Sequence, residues 1–223
     1  MGLVDFGLAS LLAFSSVVAL PSRAGADEVA DARFCKPAQP CWPAPADWAV
    51  LRASLTGTLE QPRSPIAACL VDANGDACAT ALKGLASPYA LQEQSGGTES
   101  VGWLGAWTAA PSAYAVAAEN AGDVAAAIRF ARVHRLRLVV KGTGHDYLGR
   151  SNAPDSLLVW THHMRRVTVE DAFVPASCAA TRAPIAAVSL GAGTRWLEAY
   201  REVTGKHHRY VQGGGCLSVG ALP

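Results

Sequence analysis

Leu136-Arg137-Leu138-Val139-Val140-Lys141-Gly142-Thr143-Gly144-His145-Asp146-Tyr147-Leu148-Gly149 is the stretch on which the reading of this chain turns. Leu136 to Val140 is a β-rich run, and a glycine-rich loop follows it directly. Such a loop at the end of a buried strand lets backbone N–H groups approach an anion closely, most often a phosphate. Gly142, Gly144 and Gly149 read GxGxxxxG, which is not the GxGxxG of a nicotinamide-binding turn. No GxxxxGK[ST] occurs, so an ATP-type phosphate loop is excluded. A plain tight turn is the competing explanation of the glycines. His145 sits inside the loop. A neutral imidazole offers a nucleophilic ring nitrogen. The plainer role is a hydrogen bond within its own loop.

Upstream, Ala113 to Ala117 reads as a short strand. Asn120-Ala121-Gly122-Asp123 offers capping side chains, and Val124, Ile128, Ala131 and Arg132 follow at helical spacing up to His134. Strand, helix and strand form a β-α-β unit that ends in the loop. Downstream, Ser156–Trp160, Val167–Val169 and Ala186–Leu190 are further predicted strands. Trp196, Leu197, Tyr200 and Val203 have helical spacing, and Arg209-Tyr210-Val211 reads as a last short strand. A second glycine-rich loop, Gln212-Gly213-Gly214-Gly215-Cys216-Leu217-Ser218-Val219-Gly220, then follows.

The chain has 223 residues, half of them hydrophobic and 17% charged. That excludes a disordered chain. Nineteen basic against 18 acidic residues give +1, no electrostatic footprint for nucleic acid or a membrane surface. Residues 27–110 read as a Cys/Pro-rich segment with loops and short helices, one from Asp47 to Leu55 and one from Cys78 to Leu85. Trp103 and Trp107 share a helix face or flank a turn at Gly105. Cys35, Cys41, Cys69 and Cys78 fall among prolines and suggest disulfides in an oxidising compartment. Their pairing stays open. Zinc is the weaker alternative, since no CxxC pair occurs. Cys178 is expected in a loop as a free thiol. Leu8 to Leu20 is too short for a bilayer span of about 20 residues. It fits the apolar core of a signal peptide over residues 1–26, with Ala24-Gly25-Ala26 at the cleavage position. The usual basic residues before that core are missing, so a buried core segment is the alternative. Export predicts a secreted or periplasmic protein.

The first loop resembles the flavin-attachment loop of PCMH-type FAD-binding proteins, the vanillyl-alcohol-oxidase superfamily, and in particular its berberine-bridge-enzyme-like branch. Gly214-Gly215-Cys216-Leu217-Ser218-Val219-Gly220 resembles that branch's second attachment motif, and Ser151 to Leu158 is similar to its bacterial members. The resemblance runs from about Cys41 to Gly220. It implies an α+β, PCMH-type FAD-binding fold over residues 111–223, incomplete at the C-terminus and preceded by the loop- and helix-containing segment. It implies that His145 bonds the flavin 8-methyl carbon and Cys216 bonds flavin C6, so that one FAD is held bicovalently. Lys141, Gly142, Thr143, Gly144, Asp146, Tyr147 and Gly149 would wrap the pyrophosphate or orient the cofactor. Gly215, Val219 and Gly220 would border it from the second loop. The thiolate is the reactive form of cysteine, and covalent linkage would make the flavin a stronger oxidant.

The implied activity is oxidation of an alcohol- or sugar-type small molecule by hydride transfer to FAD, with molecular oxygen as acceptor. No catalytic base and no metal site are assigned. Relatives continue with further glycines and a substrate domain where this chain reads Ala221-Leu222-Pro223. The expectation is an N-terminal portion of an oxidase. The alternatives are a non-catalytic flavin-binding remnant and an exported, disulfide-stapled module without flavin. His162-His163 and His207-His208 make poor joint metal ligands, because adjacent side chains diverge. Trp160 and Trp196 are expected in the core, and Arg165-Arg166 in a solvated turn.

Overall fold

The computed structural model describes residues 33–100, 102–103, 107–108, 110–175 and 183–221. The signal segment, Gly105 and Cys178 lie outside the described residues.

The central sheet has four strands: β1 (Thr58–Glu60), β4 (Tyr114–Ala117), β5 (Arg137–Lys141) and β6 (Ser156–Trp160), in the order β1-β4-β6-β5. β1 is antiparallel to β4, while β4 and β5 both run parallel to β6. The expected β-α-β unit is present as β4, α5 (Ala121–Val133) and β5. Its two strands are not neighbours, however, because β6 lies between them. The composition of β6 explains this. Ser-Leu-Leu-Val-Trp is buried along its whole length, as suits a strand covered on both faces. Leu157 and Val159 point to one face, where Ala127 and Ala131 of α5 and Trp48 pack. Leu158 and Trp160 point to the other, with Ala115 and Ala117. That is the period-2 alternation of a strand.

α5 starts where its capping residues predict. Asn120 Oδ1 accepts from the N–H of Gly122 and Asp123. Asp123 is 1% exposed and ties the helix to the segment before β1. Its carboxylate accepts from Thr56 N at 2.8 Å, Gly57 N at 3.1 Å and Glu119 N at 2.9 Å. Burial pushes this carboxyl up, but the N–H donors outweigh that and hold it below the ordinary range.

The Cys/Pro-rich segment packs against the same sheet. α1 (Pro45–Ala53) carries Pro45 at its first turn, and Asp47 accepts from Ala44 N at 2.8 Å. Its Trp48 stacks on Tyr114 with ring centroids 3.9 Å apart. The four clustered cysteines pair as Cys35–Cys41 and Cys69–Cys78. The second bond joins α2 (Ala67–Val71) to α3 (Asp76–Gly84), and α4 (Pro88–Gln92) follows. Between α4 and β4, β2 (Gly102–Trp103) pairs antiparallel with β3 (Trp107–Thr108), so these tryptophans flank a reversal and share no helix.

β7 (Val167–Phe173) and β8 (Ile185–Leu190) form a separate antiparallel pair. α6 (Trp196–Tyr200) runs on as a π-helical turn through Lys206. The expected strand at Arg209–Val211 is not formed. Arg209 N donates back to Val203 O at 3.0 Å, and Tyr210 is 84% exposed. β-propensity without a partner strand makes no strand.

Candidate functional site

The first glycine loop leaves the carboxyl end of β5, where open parallel sheets place their ligand crevices. Gly144 takes φ +80°, and a Cβ there would sit 3.2 Å from Gly97 O and 3.3 Å from Lys141 Cδ. Only glycine meets both demands. Asp146 folds the rest of the loop. Its carboxylate accepts from Leu148 N at 2.9 Å and from Arg150 Nε at 2.6 Å. The Arg150 guanidinium beside it, helped by the loop N–H groups, holds this carboxyl below its usual range. Tyr147 is 60% exposed and presents its ring edge-on to His145. Gly149 makes the return turn at φ +72°.

Lys141 is placed differently from its neighbours. Its backbone borders the loop, but its ammonium turns away and is buried at 1% exposure. Nζ donates to Gln94 O at 2.8 Å, Ser95 O at 2.5 Å and Gly97 O at 2.9 Å, and lies 5.0 Å from the Trp160 ring. Burial pushes Lys141 down to about 7, and the Glu60 carboxylate opposes the shift. The carbonyl acceptors favour the ammonium form. Lys141 therefore clamps the 94–97 segment beneath the loop.

The second glycine loop is strapped against the first. Gly220 N donates to Thr143 Oγ1 at 3.0 Å. Gln92, 1% exposed, donates from Nε2 to Ser218 O at 2.7 Å. Trp196 N and Leu197 N, at the start of α6, donate to Val219 O and Leu217 O. The half-buried Trp196 indole lies directly on Gly213 and Gly214, where any Cβ would overlap it, and Tyr200 Oη donates to Gly213 O.

An ionic cluster fixes α6 relative to β6. His162, fully buried just past β6, meets Glu93 Oε2 through Nε2 at 3.0 Å and stacks on Trp160. Arg165 and Arg195 also reach Glu93 Oε1, at 3.2 and 3.5 Å, and Arg195 meets Glu198 at 2.7 Å. Burial raises Glu93, but His162 and Arg165 outweigh it and hold the carboxyl low. Arg165 is thus an ion-pair partner as well as a turn residue.

These constraints bring His145 and Cys216 together. His145 Nε2 lies 2.9 Å from Ser218 Oγ, and Cys216 Sγ lies 3.2 Å from the same oxygen. Glu99 Oε2 is 3.6 Å from His145 Nε2. The Ser218 hydroxyl holds the exposed Cys216 thiol below its ordinary range, while the Glu99 charge works against that. Sequence reasoning missed Ser218, Glu99, Gln92 and the Thr143 hydroxyl contact. Ser218, two residues beyond Cys216, had a local signal. Glu99 and Gln92 had none, since they come from outside both loops.

A cleft of about 600 Å3 runs between the loops, bordered by Gly142, Thr143, His145, Tyr147, Val219 and Gly220. That is within the range of about 300–1,000 Å3 for small-molecule sites. Among the described residues, no hydrogen bond takes up the N–H groups of Gly142, Thr143, Gly144 or His145. An anion suits such a loop; the His145 imidazole borders the same space, and the Cys216 thiol stands beside it across the Ser218 hydroxyl. The residues present fit FAD.

Fold and site together define a PCMH-type FAD-binding protein of the VAO flavoprotein class. The chain belongs to the FAD binding domain family, which residues 111–223 match. It is 35% identical over 213 residues to the FAD-linked oxidoreductase easE of Epichloe festucae var. lolii, covering 84% of this chain and 34% of that protein. It is 34% identical over 229 residues to the FAD-linked oxidoreductase notD' of Aspergillus versicolor, covering 94% and 37%. The crystal structure of the VAO-type flavoprotein MtVAO713 from Myceliophthora thermophila C1 superposes with a TM-score of 0.71 at 26% identity, over 84% of this chain and 36% of that one. The chain thus spans about a third of the length of these relatives.

Proposed function

We propose that this chain is the FAD-binding portion of an oxidoreductase acting on an alcohol- or sugar-type small molecule, with FAD held through both His145 and Cys216 and molecular oxygen as acceptor. The observation that carries this reading is the approach of both side chains to one Ser218 oxygen, at 2.9 and 3.2 Å. When bound, FAD supplies the two-electron chemistry by accepting a hydride. The protein's part is to hold and orient. Gly142 to His145 bind the pyrophosphate through backbone N–H groups. Asp146 and Arg150 keep the loop folded, and Thr143 locks the second loop to the first. His145 supplies a nucleophile at the cleft wall, and Cys216 a second one across the Ser218 hydroxyl. No residue of this chain is assigned as the catalytic base. The Cys35–Cys41 and Cys69–Cys78 disulfides support an oxidising compartment, secreted or periplasmic.

Acid precipitation of the purified chain tests the reading. Flavin absorbance should stay with the pellet. It should be lost from the pellet of the His145→Ala, Cys216→Ala double variant. Flavin released wholly into the supernatant of the unaltered chain contradicts covalent attachment.

A further inference from the structure

We propose that Ser218 is a proton relay that lets His145 draw the proton from Cys216, with Glu99 as the counter-charge that holds the resulting imidazolium. The inference deepens the reading above by assigning how the thiol becomes a nucleophile, and it is read out without flavin.

The two contacts form a continuous path from the thiol to the imidazole. In the tautomer with His145 Nε2 unprotonated, the Cys216 S–H donates to Ser218 Oγ across 3.2 Å and the Ser218 hydroxyl donates to Nε2 across 2.9 Å. When the proton moves, the S–H bond breaks as an O–H bond forms on Ser218. The original Ser218 proton passes to Nε2. Serine ends as a hydroxyl, Cys216 as a thiolate and His145 as an imidazolium. Glu99 Oε2, 3.6 Å from the same Nε2, faces the new positive charge. The His145 and Glu99 side chains are only 13% and 19% exposed, which limits screening by water.

The remaining neighbours do not compete. Asp146 and Arg150, on the His145 loop, are paired with each other at 2.6 Å. Tyr147 meets His145 only by a ring edge. Gln92, beneath the second loop, is uncharged and donates to the Ser218 carbonyl, which holds that residue in place without using its hydroxyl. Glu99 therefore acts in two opposed ways. Its charge disfavours the nearby thiolate directly, and it favours the thiolate indirectly by stabilising the imidazolium.

That opposition makes the test decisive. The full chain is isolated from riboflavin-starved cells, so Cys216 is unmodified. Iodoacetamide alkylation is followed by mass spectrometry on the peptide carrying Cys216, which keeps Cys178 and the disulfide cysteines out of the signal. The rate is measured from about pH 5 to about pH 10, across the free-thiol value of about 8.5. The unaltered chain should titrate below that value. Ser218→Ala and His145→Ala should each move the midpoint up and slow alkylation at pH 6.5 about tenfold. Ser218→Thr, which keeps the hydroxyl, should restore the low midpoint, an effect that mere packing would not produce. Glu99→Gln should also move the midpoint up. A midpoint that falls in Glu99→Gln, stays put in Ser218→Ala, or lies at the free-thiol value in the unaltered chain overturns the relay. None of these outcomes depends on whether FAD binds, so failure here is distinct from failure of the flavin reading.

Discussion

His145 and Cys216 sit on either side of a single hydroxyl, 2.9 and 3.2 Å from Ser218 Oγ, although they belong to different loops. Neither loop reaches that arrangement alone. The Thr143–Gly220 bond joins them directly. Gln92 and Glu99 reach the same place from the segment before β4. The site is therefore held by contacts distant in sequence, and its weak points are the residues that make them.

Lys141 is the first of these. Lys141→Met removes the donor shared by the Gln94, Ser95 and Gly97 carbonyl oxygens in a buried place. Stranding buried acceptors costs about 1–3 kcal/mol each, less where the segment can relax. The expected loss in urea unfolding is about 3 kcal/mol, with a matching drop in the flavin bound per chain. A loss under about 1 kcal/mol would show that the clamp does not hold the segment.

The second loop makes a contrast between neighbouring glycines. A Cβ at Gly213 would overlap the Trp196 indole, whereas one at Gly215 would meet nothing within 4 Å. Gly213→Ala should destabilise by about 1–3 kcal/mol and shift Trp196 fluorescence to the red. Gly215→Ala should stay within about 0.5 kcal/mol of the unaltered chain. Equal effects would mean that the indole does not seat the loop.

His162 makes stability fall in acid. Burial pushes it down to about 4, with Arg165 acting the same way and Glu93 opposing. The unfolded chain takes up its proton near pH 6.5 and the folded chain only near 4. The contribution is therefore fully present above about 6.5 and is lost as pH falls towards 4, by up to about 3 kcal/mol. Denaturant unfolding at pH 7 and pH 4.5 checks this. The unaltered chain should lose more stability between the two than His162→Phe does. Equal losses would place the acid sensitivity elsewhere.

Much of the architecture was legible in the chain. Asn120 and the spacing from Val124 to Arg132 marked α5, and the apolar run Ser156–Trp160 marked β6. Strand order was not legible, because the insertion of β6 between β4 and β5 depends on pairing between remote segments. β1, three residues long, carried too little pattern to be seen. Arg209–Val211 looked like a strand on residue type alone and lacked a partner. The site divides in the same way. Gly144, His145 and Cys216 announced themselves through glycine spacing and nucleophile chemistry. Glu99, which faces His145 from a separate segment, left no mark on the residues around it. The disulfide pairing was equally silent, since cysteine spacing permits every combination.

The most direct test of the central claim is proteolysis of the flavin-loaded chain followed by mass spectrometry. Attachment through both side chains should yield one flavin joined to two peptides, one carrying His145 and the other Cys216. Single His145→Ala and Cys216→Ala variants should each leave the flavin on the one remaining peptide. Recovery of both peptides unmodified from a chain that has bound FAD would contradict the account.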